Sequence, residues 1–219
     1  MTSTETSEED DDTTITLQRQ YLYQTASVAT LQWACTGNHV DIVRCLLDAC
    51  QINPDACDDD GVTPLMLASA QGHIDVVTLL IHRNADVNKT DADGRTSLHH
   101  AVCHNRVRVA DVLIRHGKAR LDVVEMATGA TPLSYAALGG HLAIARCLVE
   151  HGCSLDVQNR EGDTALHVAC REEWDEVAVL LVRSGASVKL LNKSNMTAVL
   201  VASNYLKVIL ENHLNLVDR

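Results

Sequence analysis

Eleven histidines and eight cysteines are the residues of this chain best equipped for chemistry, as metal ligands, general bases or nucleophiles. His99, His100 and His104 come closest to a ligand set, because positions i and i+4 share a helical face and Cys103 lies beside His104. A structural zinc site needs four converging donors, and neither a converging carboxylate nor a CxxC pair accompanies these residues. Cys35, Cys45, Cys50, Cys57, Cys103, Cys147, Cys153 and Cys170 are too sparse for a disulfide framework, and most read as reduced, small apolar side chains of a packed interior. The local motifs GxxxxGK, HExxH and GxSxG and the kinase signatures do not occur. The expectation is a protein with no catalytic residues, no cofactor and no metal.

The histidines do recur, and the recurrence points to structure. His73 and His141 follow a glycine, and His99 and His167 sit in TxLH segments. Such periodicity predicts a scaffold role, with a ring nitrogen bonding the backbone of a neighbouring turn. The elements that carry them repeat as well: Thr63, Thr96, Thr131, Thr164 and Thr197 open TPL, TSLHHA, TPLSYA, TALHVA and TAVLVA at separations of 33, 35, 33 and 33 residues. Gly61, Gly94, Gly129, Gly162 and Asn195 stand two positions earlier, residue types that tolerate a left-handed turn. ATLQWACTGNHVDIVRCLL resembles TPLMLASAQGHIDVVTLLI at an offset of 34 and adds a degenerate first unit. Inside a unit the apolar periodicity predicts helix, turn, helix: Leu65, Ala68 and Ala70 before Gly72-His73, then Ile74, Val76, Val77, Leu79, Leu80 and Ile81. Neither helix is long enough to be stable alone, so stacking on the next unit must bury their apolar sides.

These recurring segments identify the chain as similar to the ankyrin-repeat family, over about residues 27 to 213. The resemblance implies an all-α repeat solenoid with β-hairpin loops, a stack of about six helix-turn-helix units. The expected organisation is an acidic disordered tail at 1–14, a capping helix at 15–26, units at 27–60, 61–93, 94–128, 129–161, 162–194 and 195–213, and a C-terminal end at 214–219. The junction between the third and fourth units holds two extra residues, one near Gly117-Lys118-Ala119-Arg120 and one within VVEMATG. They read either as neutral length variation or as a change to the binding face. Trp174, where other units carry histidine, reads either as packing between units or as an exposed contact.

What the resemblance implies for function is a non-enzymatic scaffold or adaptor that binds a protein or peptide through a concave face of hairpins and inner helices. The hairpin residues are Asp58, Asp59, Asp60 and Val62, then Thr90, Asp93 and Arg95, then Glu125 and Met126, then Arg160, Glu161 and Asp163. The resemblance also directs Ala70, Gln71, His104, Leu138, Arg171 and Glu172 toward the groove. The acidic first hairpin suggests a basic or amphipathic segment in the partner, with Met126 and Leu138 supplying apolar contact. Asn88, in NADVNKTD, resembles asparagines hydroxylated in other ankyrin repeats, beside a plain role in holding the turn. An N-terminal recognition module of a larger protein, and an autonomous inhibitor that occludes a partner, are the alternatives.

Composition agrees. A formal charge of -11 argues against direct nucleic-acid binding, which draws on Lys and Arg. No apolar run approaches the roughly 18 residues of a membrane span, and the opening has no basic start followed by an apolar stretch. The chain is expected to be intracellular, cytoplasmic or nuclear, without membrane insertion, and monomeric by itself.

Overall fold

The computed structural model describes residues 27–203 and 206–210. The acidic tail at 1–14, the capping helix at 15–26 and the end at 214–219 lie outside the described residues. Among the described residues five pairs of helices follow one another: α1 Val28–Thr36 and α2 Val40–Asp48, α3 Pro64–Gln71 and α4 Ile74–His82, α5 Ser97–Cys103 and α6 Val107–Arg115, α7 Pro132–Leu138 and α8 Leu142–Glu150, α9 Ala165–Arg171 and α10 Asp175–Arg183, then the short α11 Ala198–Val201. The odd-numbered, inner helices pack on one another in sequence, as do the outer helices α2 to α10, so the molecule is two layers of stacked helices. Residues 206–210 are helical and follow α11.

The recurring threonines start the inner helices. Thr63, Thr131, Thr164 and Thr197 are extended N-caps whose hydroxyls accept the N–H of the residue three positions on. In two units the residue at that position is histidine, and its ring closes the loop. Nδ1 of His99 accepts from Thr96 N at 3.1 Å, and Nδ1 of His167 accepts from Thr164 N at 3.3 Å. The other ring nitrogen of His167 then reaches the Met196 carbonyl of the next unit, at 3.1 Å. His99 is fully buried, and its burial pushes its pKa down to about 4, so the ring that accepts this bond is neutral.

The core repeats with the same period. Ala34, Ala68, Ala101, Ala136 and Ala169 are all fully buried, at matching places in the inner helices α1, α3, α5, α7 and α9, and Leu46, Leu80, Leu113, Leu148 and Leu181 are their counterparts in the outer layer. Alanine lets inner helices approach closely, while leucine fills the space between layers. Buried Cys35, Cys153 and Cys170 belong to this interior, where desolvation raises each thiol to about 12. Outer helices such as α6 are apolar on one side only, with Val109, Ala110 and Leu113 inward and Arg108 and Arg115 outward.

One expectation is corrected here. Among the described residues there is no β-strand and no β-hairpin, only a single antiparallel bridge between Leu191 and Thr197. The connections are tight turns instead, termed fingers below: Asp58–Val62, Asp91–Arg95, Glu125–Ala130, Asn159–Asp163 and Asn192–Met196. Each closes on two backbone bonds made by its first residue, such as Asp91 N to Arg95 O and Gly94 N to Asp91 O, both at 2.9 Å, and its first side chain takes further N–H groups of the turn. Successive fingers are joined by single backbone bonds, Ala92 N to Asp60 O, Met126 N to Asp93 O, Arg160 N to Thr128 O and Lys193 N to Glu161 O, at 2.7–2.9 Å. One bond per unit is too few to propagate a ladder.

A second contact series locks the turn between inner and outer helices. His73 Nε2 donates to Thr36 O at 2.9 Å, Arg106 Nε to Ala70 O at 2.8 Å and Trp174 Nε1 to Leu138 O at 3.1 Å. Trp174 therefore packs between units while remaining 44% exposed. Its ring occupies the space over Gly140, where an added Cβ would lie 2.4 Å from Trp174 Cδ2 and where φ is +65°. Gly140→Ala meets both obstacles and should lower unfolding free energy by about 2 kcal/mol in urea titration, with a changed Trp174 emission. A cost near zero would show that this latch carries no load.

Candidate functional site

Each finger begins with a side chain that accepts backbone N–H groups from the turn it opens. Asp58 Oδ1 accepts from Val62 N, Asp91 Oδ1 from Asp93 N and Arg95 N, Asn159 Oδ1 from Glu161 N and Asp163 N, and Asn192 Oδ1 from Ser194 N and Met196 N, all at 2.8–3.0 Å. The third finger has one residue more and begins with glutamate, whose longer arm spans the wider turn. Its carboxylate accepts from Ala127 N and Thr128 N at 2.6 Å, from Ala130 N at 3.4 Å and from the Thr128 hydroxyl. Burial alone would raise the Glu125 pKa. The hydrogen bonds from Thr128, Ala127 and Ala130 outweigh it and hold the group down at about 2.

Glu125 is thus only 2% exposed and faces into its own turn, although its place in the pattern suggests a tip residue. Asp163 is likewise 2% exposed, bonded by Arg171 and by Asn192 Nδ2 at 2.8 Å; burial works against its charge, and these two partners lower its pKa despite it. Ala70 is buried too. The other residues expected at this face are reachable. Asp58, Asp59, Asp60, Asp93, Met126, Arg160 and Glu161 are exposed on the fingers and Thr90 just before the second, with Val62 and Arg95 half-buried; Gln71, His104, Leu138, Arg171 and Glu172 are exposed at the ends of the inner helices.

These side chains divide into three groups. On the first finger, Asp58 is engaged by Gln32 Nε2 at 3.2 Å, whereas Asp59 and Asp60 form no ion pair among the described residues. On the second, Asp93 and Asp91 both pair with Arg95, and Asp91 also receives His100 Nε2 at 3.0 Å. In the middle, the Met126 side chain lies over Gly94, and Leu138 carries the carbonyl held by Trp174. Met126 is 62% exposed and Leu138 49%, so the centre offers apolar surface. Trp33 escaped the sequence-based selection. It is 58% exposed on α1 and stacks beside His39 with ring centroids 4.6 Å apart. Its signal was available: it aligns with Leu67, His100, Tyr135 and Val168, a column that varies while the next position stays alanine and the position two before stays leucine.

Asn88 lies elsewhere, in the loops that lead into the fingers. Its Oδ1 accepts from Arg120 N at 2.7 Å and its Nδ2 donates to Lys118 O at 3.4 Å. Asp55 does the same for Asp86 N, Asp122 for Ser154 N and Asp156 for Ser187 N, at 2.8–2.9 Å. Asn88 is one rung of a ladder that ties each unit to the next. Among the described residues no group of three or more His, Cys, Asp or Glu is placed to hold a metal ion, and no helix is long and apolar enough to cross a membrane.

Capped inner helices, outer helices, side-chain-closed fingers and unit-to-unit latches define a stacked helical repeat protein. The chain belongs to the ankyrin-repeat family: the family pattern described as ankyrin repeats in three copies matches residues 16–91 and 84–159, and the single ankyrin repeat matches 161–193. It is 30% identical to alpha-latrocrustotoxin-Lt1a of Latrodectus tredecimguttatus over 82% of this chain and 14% of that protein. It is 26% identical to the palmitoyltransferase ZDHHC13 of Homo sapiens over 74% of this chain and 31% of that protein. Among solved structures, the ankyrin repeat domain of Bcl-3, described as a unique member of the IkappaB protein family, superimposes with a TM-score of 0.77 at 30% identity, covering 83% of this chain and 81% of that one. The chain spans less than a third of the length of these two curated relatives. The matched residues are an ankyrin-repeat scaffold for protein–protein interaction.

The third finger gives a test of its own construction. Glu125→Asp, although aspartate serves the first two fingers, cannot span the longer turn and should cost about 1–2 kcal/mol in chemical denaturation through lost bonds to buried N–H groups. Because the Glu125 pKa falls from an ordinary 4.5 to about 2, its contribution is fully present above pH 4.5 and is lost as pH falls through 2. Equal stability of the wild-type and Glu125→Asp chains, with equal acid profiles, would rule this role out.

Proposed function

We propose that the chain binds a protein or peptide through the face made by its fingers and inner helices, and that a basic or amphipathic segment of the partner meets the first finger. The observation that carries the reading is the uneven neutralisation of acidic tips. Asp93 and Asp163 have arginine partners within the chain, whereas Asp59 and Asp60 are exposed without an ion pair among the described residues. Charge left open in this way steers association and selects the partner. Trp33, next in sequence to the Gln32 that holds Asp58, adds a ring face for a lysine or arginine. Met126 and Leu138 supply apolar surface farther along, suited to a desolvated anchor.

Affinity capture and binding kinetics with the full chain test this. Asp59→Lys with Asp60→Lys should slow association of the captured partner by about tenfold, an effect that shrinks at high salt. Met126→Ala with Leu138→Ala should speed dissociation instead. Recovery of the same partner at equal affinity by both variants would place its binding on another surface.

The small share of its relatives' length that the chain spans supports a second reading, in which these repeats are the recognition part of a longer polypeptide. An inhibitor that covers a partner's active surface would use the same face. Modification of Asn88 by an asparaginyl hydroxylase is also proposed, and its bonds to Lys118 and Arg120 mean that the segment must be drawn out first. Peptide spectra from cells should show one added oxygen on Asn88, and an unmodified peptide at high coverage ends that proposal.

A further inference from the structure

Two departures from the repeat pattern meet in space at the base of the first two fingers. The residue two positions before each finger is Ala56, Lys89, Val123, Val157 or Leu190, all half-buried, so a lysine stands in a column that is otherwise apolar. The residue one position before each finger is Cys57, Thr90, Val124, Gln158 or Leu191, all exposed, so the first finger alone presents a thiol there. Lys89 bends back from the second finger toward the first. Its Nζ donates to Asp55 O at 2.7 Å and to Cys57 Sγ at 3.8 Å.

The approach is held from both sides. Asp86 N donates to Asp55 Oδ1 at 2.8 Å on one flank, and Ala92 N donates to Asp60 O at 2.8 Å on the other. The thiol is therefore both open to a solvent-borne oxidant and within reach of a nitrogen nucleophile from the neighbouring unit.

We propose that Cys57 and Lys89 form a reversible covalent tie between the first two fingers when the chain meets a hydroperoxide. In the first step sulfur attacks one peroxide oxygen: the S–O bond forms, the O–O bond breaks, sulfur loses two electrons and the peroxide is reduced, so that a thiol and hydrogen peroxide give a sulfenic acid and water. In the second, the Lys89 amine, having released a proton to solvent, attacks that sulfur. The N–S bond forms, the S–O bond breaks and the hydroxyl leaves as water, yielding a sulfenamide with no further change in electron count. A small thiol reverses it, first displacing the amine to give a mixed disulfide, then releasing the Cys57 thiol as its own disulfide forms. The tie removes the positive charge of Lys89 at the base of the first finger and fixes the spacing of the two fingers.

The test treats the full chain with hydrogen peroxide in the absence of thiols, alkylates the remaining cysteines and maps peptides by tandem mass spectrometry. The expected product is a linked peptide pair joining Cys57 to Lys89, two hydrogens lighter than its parts, that dithiothreitol separates. It should disappear in Cys57→Ser. In Lys89→Arg it should also disappear, with the Cys57 sulfenic acid now trapped in larger amount by dimedone; unchanged circular dichroism in both variants shows that the fold is kept. Oxidation of Cys57 in the wild-type chain with no linked pair overturns the proposal, as does the persistence of a Cys57 linkage at equal yield in Lys89→Arg.

Discussion

A stack of short turns with no sheet between them must still find acceptors for its backbone N–H groups, and that requirement shapes the molecule. A buried or half-buried N–H left alone costs free energy comparable to a lost hydrogen bond. Here side-chain oxygens meet the need. Asp58, Asp91, Glu125, Asn159 and Asn192 close the fingers, while Asp55, Asn88, Asp122 and Asp156 tie each loop to the next. Six of these nine residues are carboxylates, so part of the acidity of the composition is architectural.

The same series of bonds makes the repeats interdependent. No unit completes its own core: the alanines of one inner helix are covered by the next, and the latches from His73, Arg106 and Trp174 each end on a carbonyl of the preceding unit. Stability in such a chain is a sum over units and interfaces. A fault at one junction weakens two units at once. The junction between the third and fourth units shows how a length change is absorbed: the extra residue widens the turn, and a side chain one methylene longer closes it.

Repetition made the fold readable from sequence. Thr63, Thr96, Thr131, Thr164 and Thr197 mark the starts of inner helices because a short side chain with an accepting oxygen is favoured at an N-cap, and the glycine or asparagine before them marks a left-handed turn, which all five adopt at φ between 56° and 80°. The β-hairpins were the wrong expectation, since a spacing locates a turn without saying how many backbone bonds close it. The site was less readable than the fold. Glu125 and Asp163 occupy tip positions in the pattern and yet point inward, a matter of side-chain direction that a period of 33 residues does not encode. Trp174 posed a choice between packing and contact; its N–H is bonded to the Leu138 carbonyl of the preceding unit, which is the packing role, while part of its ring stays exposed.

What remains for recognition is decided by subtraction. Once the acids that close turns, the acids paired with arginine and the histidines that cap helices are set aside, the face has few groups whose hydrogen-bonding and charge are still open. Asp59 and Asp60 lie at one end, and Met126 and Leu138 lie in the middle. Neutralised tips such as Asp93 with Arg95 would have to break an ion pair to accept a new cation, and an exposed pair repaid in kind gives little net gain. Open charges at the first finger need no such exchange, and apolar surface gains most where it can be fully covered. Under the proposed reading, a partner gains by placing a cationic segment at the first finger and an apolar side chain over the third, because neither contact first undoes one of the bonds that hold the repeats together; Arg160 and Glu161 on the fourth finger are likewise exposed and outside any ion pair among the described residues.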